Sequence, residues 1–238
     1  MYAVLRTILS DLKLVWHDSR SLLNAPRQWT RTAQLAALVI LVIIVSAVGI
    51  DASLRAWVST VHSGSLDHLA SVGHWLGGGT LTLTLFLSLY VGGFLWCATR
   101  ARRWGLLIGE SYLFSGAITI LVKSLLGRWR PYTEHGSLSF FPFTFGPNDH
   151  LSFPSGHVTV AFALASVVAL MSENVAWRLA WFTLASITAF SRIYHDQHWL
   201  SDVLFSIASG TVVGVALVKA SRRSAAPSAP ETERELSK

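Results

Sequence analysis

Six apolar stretches punctuate the chain, at residues 33–50, 80–98, 104–122, 158–171, 175–189 and 203–218, separated by polar or charged runs. At 1.5 Å per residue a helical stretch of about 18 residues covers about 27 Å, close to the hydrocarbon thickness of a bilayer. The fourth and fifth stretches are shorter and borrow flanking residues to complete a span. Periodicity alone does not separate a short span from a buried helix of a soluble protein, yet six such segments do not share one soluble core. The pattern predicts an all-α integral membrane bundle of six transmembrane helices over residues 33–218. Ahead of it, Val4, Leu5, Ile8, Leu9, Leu12, Val15 and Trp16 recur at helical spacing, with Arg6, Asp11, Lys13 and Asp18 between them. Residues 1–32 are therefore expected to hold an amphipathic helix, lying on the membrane surface or packed on the protein's own cytoplasmic face. The first span starts behind five basic residues without a small-residue cleavage pattern, as an uncleaved span does. Residues 219–238, rich in Ala, Pro, Ser and Glu towards the end, are expected to form a disordered cytoplasmic tail.

Composition agrees with this outline. Hydrophobic residues make up 52%, charged residues 13%, and mean hydropathy is +0.47, against about 25% charged residues in ordinary soluble domains. That excludes intrinsic disorder and argues against a soluble globule. Cys97 is the single cysteine, which excludes an intramolecular disulfide and a cysteine-based metal cage. The net charge of +6 raises nucleic acid as a partner, but charge placement gives a simpler account. With the N-terminus inside, fourteen of the nineteen Lys and Arg residues fall on the cytoplasmic side, as the positive-inside rule requires. Both termini are then cytoplasmic and no nucleic acid is needed. The other five are Arg55, Lys123, Arg128, Arg130 and Arg192, and four of these crowd helix ends on the opposite face.

Three short stretches on that face carry candidate chemistry. Lys123 to Pro131 follows the third apolar stretch, Pro154-Ser155-Gly156-His157 precedes the fourth, and Ser191 to Asp202 joins the fifth to the sixth. Lys123, Arg130 and Arg192 supply cations, and arginine forks match phosphate oxygens. Pro154-Ser155-Gly156 opens a helix, where the N–H groups of Ser155, Gly156 and His157 are placed to meet an anion. His198 and Asp202, at i and i+4, share a helix face. A carboxylate on one ring nitrogen would leave the other as nucleophile or base. His157 is a second imidazole, available as proton donor. Together these residues make a phosphoryl-transfer site that needs no metal or other cofactor.

The three stretches read Lys-x6-Arg-Pro, Pro-Ser-Gly-His and Ser-Arg-x5-His-x3-Asp. In this they resemble the type 2 phosphatidic acid phosphatase superfamily, with all eleven specified positions filled and in order. The motifs span Lys123 to Asp202, and the apolar pattern extends the resemblance over residues 33–218. The resemblance implies that His198 attacks phosphorus to form a phosphohistidine, that Asp202 orients it, and that His157 protonates the leaving oxygen and then activates water. It implies that Lys123, Arg130, Ser155, Gly156 and Arg192 hold the phosphate. The expected function is hydrolysis of a terminal phosphate from a lipid phosphate or diphosphate at the extracytoplasmic face. A lipid phosphotransferase with the same site, or a non-catalytic transporter or lipid-binding protein, are the alternatives.

Other residues have plainer readings. Arg128 matches no motif position and is expected at the interface or on a head group. His195-Asp196 beside His198 raises a metal alternative, set aside because His198 and Asp202 already have roles. His62, His68, His74, His135 and His150 are read as loop residues. Glu110, inside the third span near its cytoplasmic end, is expected to snorkel or bond locally, and Gly77-Gly78-Gly79 to be a flexible helix start. The loops 51–79 and 132–153 would hold selectivity. The second carries Leu138, Phe140, Phe141, Phe143 and Phe145, placed to anchor at the interface or to receive a lipid chain.

Overall fold

A computed structural model describes residues 2–225. They form nine α-helices: α1 (Tyr2–Asn24), α2 (Arg31–Val48), α3 (Asp51–Val58), α4 (Gly64–Gly77), α5 (Thr80–Leu95), α6 (Thr99–Leu126), α7 (Gly156–Met171), α8 (Val175–Tyr194) and α9 (Leu200–Ala225). Among the described residues there is no strand, only an isolated bridge between Arg128 and Phe140. The six apolar stretches fall on α2, α5, α6, α7, α8 and α9. By length and composition, Arg31–Val48, Thr99–Leu126 and Leu200–Ser224 can each cross a membrane, and α4 with α5, bent by 45° at their junction, makes a fourth candidate. α9 runs on through Ala225, so the start of the expected tail is helical, and residues 226–238 lie outside the described residues.

α7 sits at the centre. Every residue from Val158 to Ala169 is buried, as befits a helix apolar all round. It packs against α9, α8 and α6. On one side Ala163, Leu164 and Val167 meet Leu107, Val213 and Leu217. On the other, Val158, Phe162 and Ala165 meet Ala185, Ala189 and Val203. Large-to-small changes in such a core cost about 2–5 kcal/mol each. This frame fixes the ends of α6, α7, α8 and α9 relative to one another, and the motif residues stand at those ends.

Residues 51–79 are not a loop. Ser63 caps α4 by accepting from the Leu66 N–H at 3.4 Å, and α4 then lies against α8. Gly77, far from a flexible start, is a point of close approach. A Cβ there would come within 2.4 Å of Thr188 Cγ2 and 2.9 Å of His157 Cβ.

α1 docks by its polar side. Asp18 accepts from Arg103 at 2.9 Å, and Asp11 accepts from the Tyr90 hydroxyl at 3.0 Å with Arg102 at 3.4 Å. Both carboxylates are buried, whereas Leu5, Leu9, Leu12 and Trp16 are exposed. Glu110 does not snorkel. It is buried, Arg103 Nη1 stands 3.9 Å away, and neither carboxylate oxygen has a hydrogen-bond partner among the described residues.

Candidate active site

α6 ends where Gly127 takes the left-handed conformation, φ +59, its N–H returning to the Lys123 carbonyl at 2.8 Å. Glycine adopts that conformation freely, and a Cβ there would also strike the Phe141 carbonyl. The chain then turns inward and buries Arg128 and Arg130, at 2% and 6% exposure. Loop 132–153 is pinned beneath by backbone bonds from Phe141 N to Gly127 O (2.7 Å), Arg130 N to Asp149 O (2.9 Å) and Ser152 N to Arg128 O (2.9 Å).

His198 lies in the turn between α8 and α9, two residues before α9 begins, and is 3% exposed. Its Nδ1 is 2.6 Å from the Ser152 carbonyl and 3.7 Å from Asp202 Oδ2. The expected direct carboxylate bond is therefore replaced by a backbone carbonyl. A carbonyl only accepts, so Nδ1 carries the proton and Nε2 keeps its lone pair. Burial, reinforced by the charges of Lys123, Arg130 and Arg192, holds the His198 pKa well below the usual histidine value.

Asp202 is fully buried and saturated. Its Oδ2 accepts from Ser152 Oγ at 2.5 Å and from the Trp199 N–H at 3.0 Å, and its Oδ1 pairs with Arg128 Nη1. Ser152 thus joins the two motif residues, holding His198 with its carbonyl and Asp202 with its hydroxyl.

Arg128 is not at the interface. It bridges Asp202 and Asp51, the latter at 2.8 Å from Nη2, and also donates to Ser201 Oγ and the Ser137 carbonyl. Asp51 in turn accepts from the Ser201 N–H at 2.9 Å. An interfacial position would have left two buried carboxylates without a cation.

The remaining cations converge from the ends of α6 and α8. Lys123 donates to the Leu151 carbonyl. Arg130 donates to the Asn148 carbonyl and side chain at 2.9 and 2.8 Å and to Gln197; burial lowers its pKa. Arg192, 5% exposed, donates from Nη1 to His74 Nδ1 at 2.8 Å, while its Nε has no partner. His74 stacks on His157, ring centroids 5.0 Å apart, so it belongs to the site and not to a loop. Ser155 departs from expectation in one respect. Its N–H is already donated to Ser206 Oγ at 2.8 Å, whereas its buried hydroxyl has no partner. At Gly156 an added Cβ would meet Thr119 Cγ2 at 3.4 Å and nothing closer. Asp196 takes no part. Its carboxylate grips Arg55 through two bonds of 2.8 Å.

Lys123, Arg128, Arg130 and Arg192 thus face two carboxylates, Asp51 and Asp202. Arg128 answers both carboxylates, so Lys123, Arg130 and Arg192 stand beside a neutral imidazole and two orphaned buried groups. Such a set suits a phosphate dianion, which spreads charge over oxygens that fixed donors can meet.

A model of the PAP2 superfamily matches residues 104–225, which contain all eleven motif positions. Lipid A 1-phosphatase of Porphyromonas gingivalis is 45% identical over 120 residues, 48% of this chain and 24% of its own length. Undecaprenyl-diphosphatase BcrC of Bacillus subtilis is 28% identical over 116 residues, 49% of this chain and 57% of its own. The chain therefore spans a quarter to somewhat over half of the length of these relatives. The crystal structure of a transmembrane PAP2-type phosphatidylglycerolphosphate phosphatase from Bacillus subtilis shares the fold, with a TM-score of 0.52 at 17% identity over 94% of this chain and 98% of that one. With apolar helices long enough to cross a bilayer and a family model that spans all three motifs around His198, this integral membrane protein belongs to the PAP2 superfamily.

Proposed function

We propose that the chain is a lipid phosphate phosphatase working through a phosphohistidine. The observation that carries this reading is the convergence of Lys123, Arg130 and Arg192 on a neutral His198 oriented by the Ser152 carbonyl. In this scheme Nε2 of His198 attacks phosphorus and the bond to the lipid oxygen breaks. That oxygen takes a proton from His157. Water then attacks phosphorus, losing a proton to His157 as the phosphorus–nitrogen bond breaks and its electron pair returns to Nε2, and inorganic phosphate leaves. Lys123, Arg130 and Arg192 hold the equatorial oxygens with the Ser155 hydroxyl and the Gly156 N–H. Asp202 acts on His198 through Ser152 and offsets the positive charge that develops on the ring, and Arg128 and Asp51 hold Asp202 in place. This set of basic side chains, a hydroxyl and a backbone N–H answers phosphate oxygens without requiring a metal.

The bundle crosses the membrane six times, with α7 and α8 completing spans through their flanking residues. Both termini are cytoplasmic and the His198 end faces outward, supported by the fourteen-to-five division of basic residues. α1 lies at the cytoplasmic interface, its exposed Leu5, Leu9, Leu12 and Trp16 turned to lipid. The exposed Phe140, Phe141, Phe143 and Phe145 border the site on the outer side and contact the substrate's chain. The substrates named for the relatives, lipid A and undecaprenyl diphosphate, share that pairing of a terminal phosphate with a long chain.

The test is phosphate release by purified protein in detergent, in excess EDTA, over phosphatidic acid, phosphatidylglycerophosphate, undecaprenyl diphosphate and lipid A. The expected result is release from at least one of them by wild type and none by His198→Ala. Dependence on added metal, or full activity in His198→Ala, contradicts the proposal.

A further inference from the structure

The opposite end of the bundle holds a second concentration of arginine. The first turns of α6 and α8 and the last turns of α7 and α9 surround an open groove of about 1000 Å³. α6 alone is 28 residues long, about 42 Å at the helical rise, so this groove is remote from His198. Arg100, Arg103, Arg178 and Arg222 line it, against one acidic residue, Glu173. Arg103 is occupied on one side by Asp18 and lies near Glu110, yet its Nη1 has no hydrogen-bond partner. Arg178 and Arg222 are held in place by carbonyls at the C-terminal end of α7, those of Ser172, just past the helix, and Leu170 within it. Arg100 stands over the Trp104 ring at 5.5 Å. Among the described residues, none of Arg100, Arg178 and Arg222 has a carboxylate within 4.0 Å. Beside these cations the wall is apolar, made by Trp104, Leu107, Leu170 and Val218.

We propose that this groove binds the head group of an anionic phospholipid, its phosphate held by Arg100, Arg178 and Arg222 and its glycerol region laid against Trp104 and Leu170. A surface basic patch that only reports membrane orientation needs neither a concave site nor guanidinium groups fixed by backbone carbonyls. Here both are present. A soluble phosphate would use the same arginines but gain nothing from the apolar wall, and the charge surplus disfavours a zwitterionic lipid. Basic pockets between helices are a recurring way of holding such head groups. The inference does not depend on the activity proposed for the other end.

The experiment is native mass spectrometry of delipidated protein in detergent, titrated with phosphatidylglycerol, phosphatidylcholine or inorganic phosphate. One tightly held phosphatidylglycerol is expected, with phosphatidylcholine and phosphate at least about tenfold weaker. Arg178→Gln with Arg222→Gln weakens phosphatidylglycerol binding about tenfold or more, while the double Lys variant stays within about threefold of wild type. Because the Gln pair also removes two caps from α7, Arg100→Gln serves as the second variant. Arg100 makes no bond to the α7 carbonyls, and its loss is expected to weaken binding about fivefold. Unchanged affinity in the Gln variants overturns the proposal. So does equal binding of phosphatidylcholine, or displacement of the lipid by an equal concentration of inorganic phosphate.

Discussion

The two ends of the helix bundle are both rich in arginine and use it in different ways. At the His198 end, Arg128, Arg130 and Arg192 are almost sealed from solvent, and each is fixed by named partners. At the far end, Arg100 and Arg222 are exposed, and Arg178 is half-buried. Residue type and number are therefore poor guides to role. A buried guanidinium must have its charge and donors answered, so its unanswered part, such as Arg192 Nε, marks a place for an anion. An exposed one is answered by water, and gains meaning only from the shape of the surface around it.

That contrast can be broken most severely at the His198 end. His198→Ala removes the proposed nucleophile and is expected to lower phosphate release at least about ten-thousand-fold, with no change in the thermal unfolding midpoint large enough to explain the loss. Arg128→Gln comes next. It strands Asp51 and Asp202 without their cation, so stability should fall by about 3–5 kcal/mol, as expected for a broken buried pair. kcat should fall about a hundredfold with KM little altered. A denaturant titration of the purified variant together with its kinetics checks both, and near-normal stability would show that the pair is not needed. No comparable loss of stability is expected from Arg100→Gln at the far end.

Smaller effects sharpen the same comparison. His74→Ala frees Arg192 and unstacks His157, and kcat should drop about tenfold. Replacing Phe140, Phe141 and Phe143 with Ala should raise KM several-fold for a long-chain lipid phosphate but leave a short soluble analogue unaffected. Equal losses on both substrates would show that these rings do not touch the chain. The pH dependence follows from the lowered pKa of His198. Attack needs the neutral ring, and burial with three nearby cations disfavours its protonation. The acid limb of kcat/KM that belongs to His198 should therefore lie below pH 6.5, the ordinary histidine value. Lys123→Met removes the largest of the three charge effects, so in its residual activity this limb should move upward towards that value.

What the sequence made legible was local. The apolar runs on α2, α5, α6, α7, α8 and α9 follow from short stretches of chain and fall on helices, with the motif residues at or near their ends. What escaped was long-range. Arg128 finds Asp51 across 77 residues and Arg192 finds His74 across 118, and no periodicity announces such pairs. Reading residues 51–79 as loop hid both partners. A signal was present in Ala70, Gly73 and Gly77, small residues at helical spacing that form the buried face of α4 against α8. The His198–Asp202 spacing was read as a helical pair, but α9 starts at Leu200, and this offset gives Ser152 its place between them. The docking of α1 likewise rests on long-range pairs. Its carboxylates found Arg102 and Arg103, and its apolar side was left outside.

The central claim is that His198 carries the phosphoryl group. Its most direct measurement is rapid acid-free quenching of the protein with a 32P-labelled lipid phosphate, followed by mapping of the labelled residue. The expected result is a label that is stable in alkali, lost in acid, located on His198, and absent from His198→Ala. A label that persists in His198→Ala, or that survives acid as a phosphoester does, would contradict the account.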